Sequence, residues 1–170
     1  MKALLETEHY QRPQTRYLVW VAHDSDALRP GVPSEQAEAI RELCNTLRLP
    51  HYMLERRAIE NYLPLPSLEA WARRNPAKRL AKYRAYSRMN DGQRCHYNLK
   101  GGFQDDVPRA EAAGSLYEEV SKASKRSLNS GFGKRIAELY GENDGVTDEH
   151  HDVSRIDVQA AVAHLIGLLN

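Results

Sequence analysis

The 170-residue chain carries 24 basic and 23 acidic residues for a formal charge of +1, with 41% hydrophobic and 28% charged side chains. A mean hydropathy of −0.67 and the lack of any apolar run near the ~20 residues that a bilayer demands argue against a membrane protein. The balanced charge argues against a uniformly basic nucleic-acid binder, so a partner of that kind has to be met by local patches. The length suits one domain spanning 1–170. Cys44 and Cys95 lack CxxC spacing, which fits reduced thiols in a cytoplasmic protein better than a disulfide framework.

Residues 1–15 are polar and mixed, an adaptor segment closed by Pro13. The six apolar residues Tyr17 to Ala22 then predict a strand buried on both faces in the middle of a sheet. That strand runs out into His23-Asp24-Ser25-Asp26. A Pro/Gly loop from Leu28 to Pro33 follows. Ser34 is the expected N-cap of a helix through about Arg48, with Ala37, Ile40, Leu43, Cys44 and Leu47 on its apolar face. Pro50 stops it, and His51 to Leu54 reads as a second strand. Strand, helix and strand in this length make a βαβ unit with parallel strands and a right-handed crossover. The carboxyl ends of both strands then share one edge, which brings Glu60 toward Asp24 and Asp26.

Downstream the pattern is helical. Ser67 is expected to cap a helix through Arg74. Pro76 to Met89 predicts a basic helix carrying Lys78, Arg79, Lys82, Arg84 and Arg88 with Tyr83 and Tyr86 between them. Tyr97 to Phe103 is a glycine-bearing loop with Lys100, whose glycines can let a backbone approach a phosphate. Pro108 is expected to open a longer helix with Ala112, Leu116, Val120 and Ala123 buried, and Asn129 to Gly133 to break it. A shorter helix over Lys134 to Tyr140, an acidic loop over 142–152 and a last helix over about Ser154 to Leu169 complete the reading. The expected class is α/β, with a parallel sheet at 16–65 and a mainly helical extension at 66–170.

The chemistry centres on carboxylates. Asp24 and Asp26 lie at a strand end, where open parallel sheets place their ligands, and alternate residues of an extended chain share a face. Such a pair suits a hard divalent cation. Asp serves equally in turns and helix caps. The basic helix can track a phosphate backbone and stack bases, or can be a solvated face with tyrosines packed inward. Asp148, His150, His151 and Asp152 lack zinc spacing and read as a solvated loop. His23 can tune the metal site or end the strand. Among motifs, there is no Walker loop, GxSxG elbow or motif-placed Cys-His pair.

The phrase Arg56-Arg-Ala-Ile-Glu-Asn-Tyr-Leu-Pro64, after a strand and downstream of a strand-DxD element, resembles TOPRIM domains of overcoming-lysogenization-defect nucleases and related ATPase-linked phage-defence proteins. The resemblance covers roughly residues 16–65. It implies a TOPRIM-like fold and a Mg2+ or Mn2+ site formed by Asp24, Asp26 and Glu60, which would also be the catalytic set. It implies cleavage of DNA or RNA, with Arg56, Arg57, Lys78, Arg79, Lys82 and Lys100 as candidate nucleic-acid contacts. A second chain, an ATPase subunit or another copy, is the expected protein partner. TOPRIM domains open with a strand ending in glutamate, then a helix and a strand before the DxD strand. Only sixteen residues precede Tyr17. Leu4-Leu-Glu6 imitates the strand-end glutamate, but no helix and strand fit behind it. The missing element therefore belongs to a partner or a longer protein, or the site is not catalytic. Two rival readings stay open: a non-catalytic interaction subunit, and a DxD-dependent transferase or phosphatase acting on a small phosphorylated molecule.

Overall fold

The computed structural model describes residues 20–136 and Ala163. The sequence expectations for 137–162, for the last helix and for the 142–152 loop with its histidines lie outside the described residues, as do Tyr17 to Val19 and Glu6. What is described is a mixed α/β arrangement with mostly helical content around a two-stranded parallel sheet. No helix among the described residues is long and apolar enough to cross a membrane.

Strand β1 (Val21–His23) pairs in parallel with β2 (His51–Met53), Val21 opposite His51 and His23 opposite Met53. Helix α1 (Glu35–Thr46) connects them. Ser34 caps it as expected, its hydroxyl accepting the Ala37 N–H at 3.1 Å. The buried Ala37 and Cys44 and the partly buried Ile40, Leu43 and Leu47 face the sheet, where Val21, Cys44 and Leu49 form a small core. The expectation of a strand buried on both faces does not hold for β1. Val21 and His23 are buried while Ala22 is exposed, because helices cover one face of the described pair.

A larger core lies beyond the sheet. Helices α2 (Leu65–Arg73), α3 (Pro76–Ser87), α4 (Asp91–His96), α5 (Phe103–Asp106) and α6 (Lys122–Ser127) surround Leu68, Trp71, Tyr86, Tyr97, Leu128, Phe132 and Ile136. Each such side chain removed from water contributes roughly 1.5–3 kcal/mol. Tilted and edge-to-face ring contacts run from Trp71 through Phe132, Tyr86, Tyr97 and Phe103 to Tyr117, with centroids 5.1–5.8 Å apart.

Two helical expectations need correction. Helix α2 begins at Leu65, before Ser67, because Pro66 is preset for a first turn. Ser67 is buried inside the helix instead of capping it. The long helix expected after Pro108 is a 3-10 segment, Val107–Tyr117, with no fully buried residue. Gly114 breaks it with φ +54 and ψ −138, outside any helical region.

Candidate functional site

The two strand exits are laced together by their backbones. The Leu54 N–H donates to His23 C=O at 3.0 Å and the Asp26 N–H to Arg57 C=O at 2.8 Å, while the Ser25 hydroxyl donates to Arg56 C=O at 2.8 Å. The carboxyl ends of the parallel pair thus stay together after the pairing stops. Just beyond, Ile59–Tyr62 forms a 3-10 turn whose first N–H, that of Ile59, donates to Asp24 Oδ1 at 2.9 Å. This turn carries Glu60 to the edge where Asp24 sits.

Asp24, Asp26 and Glu60 all line one open cleft of roughly 880 Å3. Glu60 is only 3% exposed. Its Oε1 is held by the Lys100 ammonium at 2.7 Å, and its Oε2 is buried with no hydrogen-bond partner. Partial burial raises the pKa of Asp24, helped by the nearby Glu60 carboxylate and opposed by the Ile59 N–H and by Lys100. The shift marks Asp24 as a partly desolvated carboxylate with a second acidic group nearby.

Asp26 behaves differently from the sequence expectation. Extended backbone does not persist through Ser25: β1 ends at His23 and Asp26 has φ +49, so alternation no longer aligns the two aspartates. Its carboxylate meets Arg57 Nε at 3.3 Å and Arg109 at 3.6 Å, and its carbonyl accepts from Arg109 at 3.1 Å. Among the described residues, no three His, Cys, Asp or Glu side chains converge closely enough to chelate one ion.

The proposed cationic contacts divide. Arg57 lines the cleft but is buried, with its guanidinium bidentate on Asp106 at 2.7 and 2.7 Å. It is an internal clamp, not a surface contact. Arg56 faces elsewhere, donating to Asn61 C=O at 2.6 Å and lying over the Tyr62 ring. Lys78, Arg79 and Lys82 do not line the cleft. Arg79 stacks on Trp71 at 3.7 Å and Lys82 binds the Ser130 hydroxyl and Gly131 C=O, while Lys78 is exposed. Lys100 alone of the set is exposed and on the cleft, and it sits on Glu60.

Its loop corrects a further expectation. A Cβ on Gly102 would lie 2.2 Å from Gly131 N, and one on Gly131 2.6 Å from Gly102 N, so the two backbones touch. Both glycines have positive φ, +75 and +56. The bare face of Gly101 is taken by the Asp105 carboxylate. These glycines thus serve a loop crossing and not the approach of a phosphate. The crossing is fixed by the Phe132 N–H on Leu99 C=O at 2.7 Å and the Gly133 N–H on Lys100 C=O at 3.0 Å.

Asp105, Asp106, Arg109 and Lys134 also line the cleft and carried no signal in the sequence, since Asp106 lies 49 residues from Arg57 and Arg109 83 from Asp26. The buried His23 also lines it, its Nδ1–H on the Asp24 carbonyl at 3.1 Å and its Nε2 without a partner. No family model, curated protein or solved structure matches the chain.

Proposed function

We propose that the chain is a TOPRIM-like, divalent-cation-dependent nuclease subunit that cleaves phosphodiesters of DNA or RNA at this cleft. The observation that carries the reading is the unpartnered Oε2 of Glu60, a carboxylate oxygen buried beside Asp24 at the carboxyl edge of a parallel sheet. A buried polar atom left without a partner is costly, and a cation would satisfy it. Mg2+ typically takes one or two protein carboxylates and completes its shell with water and substrate phosphate, so Glu60 and Asp24 suffice without a third ligand. Asp26, held by arginines, then positions the loop instead of ligating.

When bound, such an ion supplies Lewis-acid stabilisation of the charge that builds on the phosphate. The chain's own residues do the rest. Asp24 and Glu60 would hold the ion, while Arg57 fixes the Asp26 and Asp106 walls and Lys100 offers a positive charge at the cleft. The likeness of Arg56 to Pro64 to the phage-defence nucleases supports placing the subunit beside an ATPase chain in that setting. It also supports a cytoplasmic location.

Plasmid DNA and single-stranded RNA incubated with the chain and Mg2+ or Mn2+ test the reading. Glu60→Gln is expected to lower cleavage by about 100-fold, since it removes a charged ligand while keeping shape. Equal activity in wild type and Glu60→Gln would overturn the reading by placing cleavage away from Glu60, and equal inertness with the partner chain present would overturn it in favour of an interaction subunit.

A further inference from the structure

We infer that Lys100 is the resident counter-ion of Glu60, displaced by the arriving divalent cation and so made available to a phosphate oxygen of the substrate. The inference rests on the cation-dependent reading above. Glu60 is 3% exposed, and a carboxylate at that depth needs an opposite charge. Lys100 supplies it on Oε1 at 2.7 Å, leaving the buried Oε2 without a partner.

The two ends of Lys100 are held very differently. Its backbone belongs to the glycine crossing, where its carbonyl accepts the Gly133 N–H at 3.0 Å. Its side chain is 44% exposed. The attachment point is therefore rigid while the four-carbon stem is free to swing. A dication taken up by Glu60 and Asp24 repels an ammonium on the same carboxylate, and repulsion in a partly desolvated cleft is weakly screened. The ammonium has to leave, and the anion that then lacks a partner is the incoming phosphate. Arg57 and Arg109 cannot take that part without abandoning Asp106 and Asp26.

Reductive methylation of lysines with 13C keeps their charge and makes each visible by NMR. In the wild-type chain titrated with Mg2+, the Lys100 resonance, assigned by its absence from Lys100→Arg, is expected to shift with the midpoint of Mg2+ binding measured by calorimetry. In Lys100→Met, Mg2+ is expected to bind about fivefold to tenfold more tightly, because a competitor has gone. Inorganic phosphate should then bind more weakly in the presence of Mg2+. Lys134→Met removes the same charge from the same cleft without touching Glu60 and should change Mg2+ affinity by less than about twofold. A Lys100 resonance that stays put while Mg2+ binds overturns the inference. So does an unchanged Mg2+ affinity in Lys100→Met, or equal effects of the two methionine variants. If the wild type binds no Mg2+ that Glu60→Gln abolishes, the proposed function falls and takes the inference with it.

Discussion

Glu60 and Asn61 are adjacent on one 3-10 turn and equally buried, yet their surroundings are opposite. The Asn61 amide is closed on every side: Oδ1 accepts the Ala58 N–H at 3.1 Å, and Nδ2 donates to Arg94 C=O at 2.8 Å and Tyr97 C=O at 2.9 Å. Glu60 lines the cleft and keeps one buried oxygen without a partner. A fold that completes one buried polar group and leaves its neighbour incomplete separates the work of holding the turn from the work the turn does. Asn61 holds the turn, and the proposed chemistry falls to Glu60.

The contrast can be broken most forcefully at Arg57, the clamp shared by both sides. Arg57→Met strands Asp106 without its guanidinium, and urea denaturation should show a loss of about 3–5 kcal/mol. A loss under about 1 kcal/mol would mean that the clamp is ornamental. Next comes Asn61→Ala, which takes the amide partner from the Ala58 N–H and the Tyr97 C=O and leaves the Arg94 C=O only the long Tyr86 hydroxyl contact at 3.5 Å; it should cost about 2–3 kcal/mol, lowering Tm by several degrees. The matched change on the other side, Glu60→Gln, should alter stability by no more than about 1 kcal/mol while cation binding is lost. Comparable destabilisation by the two substitutions would erase the distinction.

A smaller effect concerns acid. His96 is buried and donates from Nδ1 to Ala27 C=O at 3.2 Å, and burial holds its pKa below 6.5. The unfolded chain takes up that proton first, so this part of the stability is complete above about pH 6.5 and declines as pH falls below it. Melts recorded between pH 7.5 and 5.5 should show Tm falling less steeply in His96→Gln than in the wild type. The smallest effect sharpens the comparison from the cleft. Asp24→Asn keeps an acceptor for the Ile59 N–H and removes a carboxylate whose pKa burial has raised from 3.8. The native state binds that proton more tightly than the unfolded one. Asn should therefore stabilise slightly at neutral pH, and the gain should vanish as the pH drops below 3.8.

Much of this arrangement is legible in the sequence because its causes are local. Ser34 before a periodic apolar face announces α1, and the short spacing from β1 through α1 to β2 forces parallel strands and a shared edge. That inference alone brings Glu60 to Asp24 across 36 residues. The part that stays hidden depends on distant partners. Nothing near Asp26 discloses that Arg109 will bind it, nor does the stretch around Arg57 announce Asp106. Periodicity also misleads over Val107–Tyr117, where apolar spacing suggests a helix that a single positive-φ residue, Gly114, interrupts. The basic run of α3 is written plainly, but Arg79 and Lys82 spend their charge on Trp71 and Gly131, a use that composition cannot reveal.

The bare contact between Gly102 and Gly131 has a consequence for engineering. Because the two stretches meet main chain to main chain at the glycines and share one apolar core through Leu99, Phe103, Leu128 and Phe132, neither can be lengthened, shortened or transplanted by itself. Moving 98–103 to another scaffold would carry the lysine but lose its address, whereas moving it together with 128–133 would preserve both.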